Sequence, residues 1–195
     1  LLAAQKILGS AGGAISGAGV MFSFDTRDNV YFPFSGRYYN AAASWFGGAI
    51  GSDYDFANYN VDLRQYFSVT PSQILATQLL MNFISGDPPF PALAQLGGKS
   101  LMRGYYTGRY RDKQLIVLQA EYRLILSRRF GLAGFAGIGE VAEKLTRFAL
   151  RDFKASYGAG IRYAVSPKEK INIRLDLGFG QEPFVGPIIT IAEAF

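Results

Sequence analysis

The residue types that could do chemistry are few. The chain has no histidine and no cysteine in 195 residues. That excludes disulfides, Cys/His zinc sites, a Ser-His-Asp triad and cysteine-based catalysis. The acidic pair Asp53 and Asp55 lacks the twelve-residue spacing of a calcium loop, and "GIGEVAEK" lacks the Gly-Lys-Ser/Thr of a phosphate loop. No catalytic group, metal or cofactor is therefore expected, and the chain does not read as an enzyme. One stretch stands apart: "LMRGYYTGRYRDKQ", residues 101–114, which follows the Pro- and Gly-rich "SGDPPFPALAQLGGKS". It can be read as a nucleic-acid patch, a solvated loop, or a loop that folds back into a polar cavity. Arginines and aromatics track phosphate and stack on bases. No nucleic-acid-binding motif surrounds them, however, and the net charge of +5 is mild, so nucleic acid is not an expected partner.

The elements that must position this stretch have a period of two. In "INIRLDLGFG", Ile171, Ile173, Leu175, Leu177 and Phe179 lie on one face, while Asn172, Arg174 and Asp176 lie on the other. In 154–166, Tyr157, Ala159, Ile161, Tyr163 and Val165 oppose Ser156 and Arg162. In 114–127, Ile116, Leu118, Tyr122 and Leu124 oppose Gln119, Glu121 and Arg123. In 58–69, Tyr59, Val61, Leu63 and Phe67 oppose Asp62 and Arg64. Further strands are expected at 17–25, 36–48, 73–85, 130–141 and 187–195. This makes an all-β chain of about nine long strands in one domain, with residues 1–16 as a loop and one short helix within "EVAEKLTRFALRDF". Short and long connections alternate, so short turns gather at one end of an up-and-down sheet and long loops at the other.

No run of apolar residues is long enough for a membrane-spanning helix. A soluble barrel is apolar inside, and a membrane barrel inverts this. Here the polar face carries mixed charges with many glycines, whereas the apolar face carries Tyr and Phe near strand ends. A soluble surface would hold more Lys and Glu. The reading adopted is an antiparallel transmembrane β-barrel, with a soluble ligand-binding barrel as the alternative. The end "IITIAEAF" agrees: Ile189 and Ile191 alternate toward Phe195, and an aromatic carboxy-terminal residue on a last strand is an assembly signal of outer-membrane barrels.

Three segments then carry a family resemblance. They are "LMRGYY" after the long loop, "GAGIRY" in the penultimate region, and "DTRDNVYFPFSGRYYN", which holds Asp25, Arg27, Asn29, Pro33 and Gly36. In this order they resemble the BamA/TamA superfamily of outer-membrane proteins, the bacterial surface antigen family. The resemblance implies a sixteen-strand barrel of which this chain is the carboxy-terminal half, or else a short barrel of about eight strands that closes alone or pairs with another copy. It places Arg103, Gly104 and Tyr105 on a lid in the lumen, with Glu121 on the barrel wall as partner. Asp62, Arg64, Arg123, Arg162, Arg174 and Asp176 would line the lumen. The family also tends to an acidic residue near the position of Gly137, so either Arg103 has fewer partners here or Asp176, Asp62 or Glu140 substitutes.

The implied function is insertion or translocation of outer-membrane proteins, in the outer membrane of a Gram-negative bacterium. The expected partners are outer-membrane lipid, unfolded outer-membrane protein clients, and another copy or an amino-terminal half. An incoming strand would add at a seam formed by 187–195, with Ile189, Ile191 and Phe195 as the assembly signal. The alternative is a structural anchor or small pore serving an attached domain.

Overall fold

The computed structural model describes residues 7–181 and 186–195; the first six residues of the expected amino-terminal loop, and 182–185 of the last long connection, lie outside the described residues. Nine antiparallel strands form one sheet in the order β1 (Gly17–Asp25), β2 (Gly36–Phe46), β3 (Phe56–Thr70), β4 (Gln73–Gly86), β7 (Gln114–Ile125), β8 (Phe130–Ala142), β9 (Lys154–Ser166), β10 (Ile171–Phe179) and β11 (Pro187–Ile191). The two remaining strands, β5 (Ala94–Leu96) and β6 (Tyr110–Asp112), pair only with each other, inside the long connection between β4 and β7. The sheet is open: each neighbour follows the last in sequence, and β1 and β11 form its two edges.

The burial pattern decides between the two barrels. Phe22, Trp45, Leu118, Phe130, Leu132, Tyr157, Ile161, Leu175, Leu177 and Ile189 are exposed on the outer face. Glu121, Arg123, Arg162, Arg174 and Asp176 are buried on the inner one. A soluble barrel would reverse this, so the fold is a transmembrane β-barrel sheet, apolar toward lipid and polar within. Short turns at 71–72, 126–129 and 167–170 share one end with the connection 26–35. The connections at 47–55, 87–113 and 143–153 lie at the other end.

Two expectations are corrected. "EVAEKLTRFALRDF" forms no α-helix: β8 runs on to Ala142, and the rest makes two 3-10 turns, Leu145–Arg147 and Leu150–Asp152. A helix that short needs an apolar face packed against something, and Leu145 and Leu150 are exposed. The last strand stops at Ile191 rather than running to Phe195. Ala192 is left-handed (φ 65°), its N–H donates to Asn172 O at 2.8 Å, and the chain then turns into the lumen.

The 26–35 connection explains the motif read from "DTRDNVYFPFSG". Arg27 grips Asp25 through Nε and Nη2 at 2.9 and 2.6 Å, and Asn29 Oδ1 accepts from the Tyr31 and Phe32 N–H groups. Gly36 has a φ of 107°, and a Cβ there would run into Thr26 O. Those residues fix a turn. At its centre, burial works against ionisation of Asp28, but the N–H groups of Ser35 and Phe34 and the Lys170 ammonium outweigh it. Together they hold the carboxyl below the usual range.

Candidate functional site

The connection 87–113 folds over the inner face as a lid. Its stem is the β5–β6 hairpin, and its tip carries Met102, Arg103, Gly104 and Tyr105, all buried. Leu96, Met102 and Tyr105 pack on Ile84, Leu115 and Val117, which gives the lumen an apolar floor beneath the lid. This accounts for the run Leu115–Leu118, where alternation fails: both faces are covered, one by lipid and the other by the lid.

The tip lies close to the wall because the wall is built small there. Gly104 has a φ of 116°, and a Cβ on it would meet the Phe179 main chain at 2.6–2.9 Å. A Cβ on Gly178 would stand 2.7 Å from the Arg103 carbonyl carbon, and one on Gly180 2.6 Å from the Tyr105 ring. At Gly137 an added Cβ would lie 3.1 Å from Met102 Sδ and 3.0 Å from Gln119 Cβ. The lid methionine thus occupies the room that a carboxylate side chain at that position would need. Tyr105 Oη donates to Ala155 O at 2.8 Å and accepts from the Gln181 N–H at 3.0 Å; the Met102 N–H donates to Gln119 Oε1 at 3.2 Å.

Arg103 bridges strands β7 and β10. Nη2 lies 2.6 Å from Glu121 Oε2, Nη1 lies 2.7 Å from Asp176 Oδ2, and the guanidinium carbon stands 3.5 Å over the Phe135 ring. The register makes this span possible. Glu121 is level with Phe135, Gly158 and Gly178, while Asp176 is level with Gly160, Ala133 and Arg123. Gly158, Gly160 and Ala133 on the intervening strands leave room between the two carboxylates, and the Arg103 guanidinium spans them over the Phe135 ring. Both are shared. Glu121 also receives Arg123 Nε at 2.7 Å and Arg162 Nη2 at 3.1 Å, and Asp176 receives Arg162 Nη1 at 2.5 Å and Arg174 Nη1 at 2.6 Å. Arg174 Nη2 donates to Lys99 O at 2.6 Å and so ties the lid at a second point.

Not every inward charge belongs to this cluster. Asp62 and Arg64 pair with each other on β3, where Gln78 Nε2 also donates to Asp62 at 2.8 Å. Glu140 is buried, but the register sets it level with outward Ile116 rather than on the lumen face, and it pairs with none of the four arginines. One member had not been picked out from the sequence. Glu193 reaches Arg162 Nε at 2.8 Å and Asn172 Nδ2 at 3.1 Å, because the chain turns inward after Ile191. Phe195 follows it into the lumen and packs with Tyr66 and Ala76, and its main-chain oxygen accepts from Arg123 Nη2 at 2.8 Å. Ile189 and Ile191 stay on the outer face. The only sequence signal for this was a single acid after the alternation ends.

Among known proteins, the chain is similar in structure to the crystal structure of BamA from Haemophilus ducreyi lacking POTRA domains 1-3. The TM-score is 0.70 at 14% identity, over 89% of this chain and 40% of that one. At that identity the likeness speaks for the fold. No curated protein matches. The model of the Omp85 superfamily domain matches residues 14–181, which include every strand of the sheet but β11, the lid and most of its charge cluster. The chain belongs to the Omp85 superfamily.

Proposed function

We propose that the chain is the carboxy-terminal part of an outer-membrane barrel that assists insertion or translocation of outer-membrane proteins. The observation that carries this reading is the superfamily match over residues 14–181. The open edges support it. In hydrocarbon an unpaired strand backbone costs several kcal/mol per group, so both β1 and β11 call for strand partners. On β1 those are further strands of the same barrel, an amino-terminal half preceding this chain. On β11 pairing stops after five residues, and the inward turn at Ala192 leaves a short seam strand at which an incoming strand could add. Ile189, Ile191 and Phe195 are assigned to assembly of the barrel itself, two presented to lipid and one drawn into the lumen.

The competing reading is an anchor or small pore serving an attached domain. A lumen filled by a lid and a buried ion cluster favours the first reading over a pore. Depletion of the full-length protein from its native cell tests the choice. Unassembled outer-membrane proteins should accumulate, measured as loss of their folded, heat-modifiable forms. Normal assembly of all of them after depletion would leave the anchor reading.

A further inference from the structure

At the short-turn end a cavity of about 300 Å³ lies between the 126–129 and 167–170 turns, with Phe32 and Phe34 of the 26–35 connection among its walls. Six cations line it, Arg123, Arg128, Arg129, Arg162, Lys168 and Lys170, and no carboxylate does. Three of the six are partly neutralised from outside the cavity. Arg123 and Arg162 are paired with Glu121 and Glu193, and Arg162 also with Asp176; Lys170 lies 3.2 Å from Asp28. Arg128, Arg129 and Lys168 have no ion pair among the described residues. Arg129 Nη1 donates to the Tyr163 hydroxyl at 3.0 Å. The result is a concave site with surplus positive charge, the chemistry that recognises phosphate.

Its surroundings select the source of that phosphate. Leu124, Phe130 and Leu132, outward residues of β7 and β8, belong to the same lining, and the Phe130 ring lies tilted against Tyr163 with centroids 5.3 Å apart. Cations at a strand end directly above a lipid-facing aromatic pair match a headgroup above its acyl chains. We propose that this cavity binds the phosphate of an anionic phospholipid in the leaflet that meets the short turns. The headgroup sits among Arg128, Arg129 and Lys168, and an acyl chain lies along Phe130 and Leu132. This needs only the outward-apolar fold, so it stands whether or not the insertion function does.

Mass spectrometry of the intact full-length protein, released from neutral detergent and titrated with phosphatidylglycerol or phosphatidylcholine, tests it. Phosphatidylglycerol should be retained at least tenfold more tightly. The combined variant Arg128→Gln, Arg129→Gln, Lys168→Gln should lose that preference while keeping wild-type heat-modifiable mobility, because all three side chains sit on turns. Equal retention of the two lipids by the wild type overturns the proposal, as does an unaltered preference in the folded variant. Should the variant not fold, the wild-type lipid ratio decides. Inorganic phosphate provides the last arm: if it binds as tightly as the lipid does, the ligand is a free anion and the lipid assignment fails.

Discussion

Glu121→Gln should be far more damaging than Arg103→Met. The reason lies in the balance of the cluster. Four guanidiniums, of Arg103, Arg123, Arg162 and Arg174, share three carboxylates, of Glu121, Asp176 and Glu193. Removing Glu121 leaves four buried cations on two anions and takes the nearest carboxylate from Arg103 and Arg123. Breaking a buried pair by deleting one partner costs about 3–5 kcal/mol, mostly as the desolvation of the charge left behind. Removing Arg103 instead leaves three cations on three anions, and each carboxylate it touched keeps two arginines. The cost should fall well below that of Glu121→Gln. Reversing both charges, Glu121→Lys with Arg103→Glu, should restore little, because Arg123 and Arg162 would still face a lysine. Denaturant midpoints of the folded, heat-modifiable form of the full-length protein measure all three. Equal losses for Glu121→Gln and Arg103→Met would mean that the pair acts alone and the sharing is incidental.

Gly104→Ala should expel the lid. Two effects combine at this position. A non-glycine residue at such a positive φ costs about 1–3 kcal/mol. The new Cβ would also meet the Phe179 main chain at 2.6–2.9 Å, and that backbone, the end of β10, is held by its pairing with Tyr157 on β9. The tip must therefore lift, carrying Arg103 off Asp176 and uncovering the apolar floor at Val117. These 195 residues hold no cysteine, so a thiol introduced here adds a single reporter to the barrel strands and lid. Leu96→Cys, at a fully buried lid position, should resist a water-soluble maleimide in the parent and label at least tenfold faster beside Gly104→Ala. Unchanged labelling would show that the tip does not depend on this close approach.

Much of this was open to reading because strand alternation is local. A period of two needs no knowledge of neighbours, so Glu121, Arg123, Arg162, Arg174 and Asp176 fall on one face from spacing alone. Which of them meet is a question of register across four strands. Asp62, Glu140 and Asp176 looked equivalent as second partners for Arg103. Only the pairing of β7 through β8 and β9 to β10 brings Asp176 level with the tip, while Asp62 sits on β3 with Arg64. Glu193 depends on a single left-handed residue, Ala192, that breaks an otherwise continuing strand pattern. The helix expected in 140–153 failed because an amphipathic pattern needs a surface to pack on, and the connection has none. Gly178 and Gly180 fall on the polar face by spacing, and Gly137 stands where the resemblance implies an acid; their role shows only once the lid lies against them.

The central claim is that Arg103 holds the lid to the barrel wall through a carboxylate on β10 as well as the one on β7. A double-mutant cycle between Arg103→Met and Asp176→Asn in the full-length protein, read as denaturant midpoints, tests this most directly. Two groups in direct contact inside one buried network should couple by about 0.5–3 kcal/mol, with the double variant less damaged than the sum of the singles. Additive losses would mean that the contact between the lid tip and Asp176 contributes nothing, and would contradict the account.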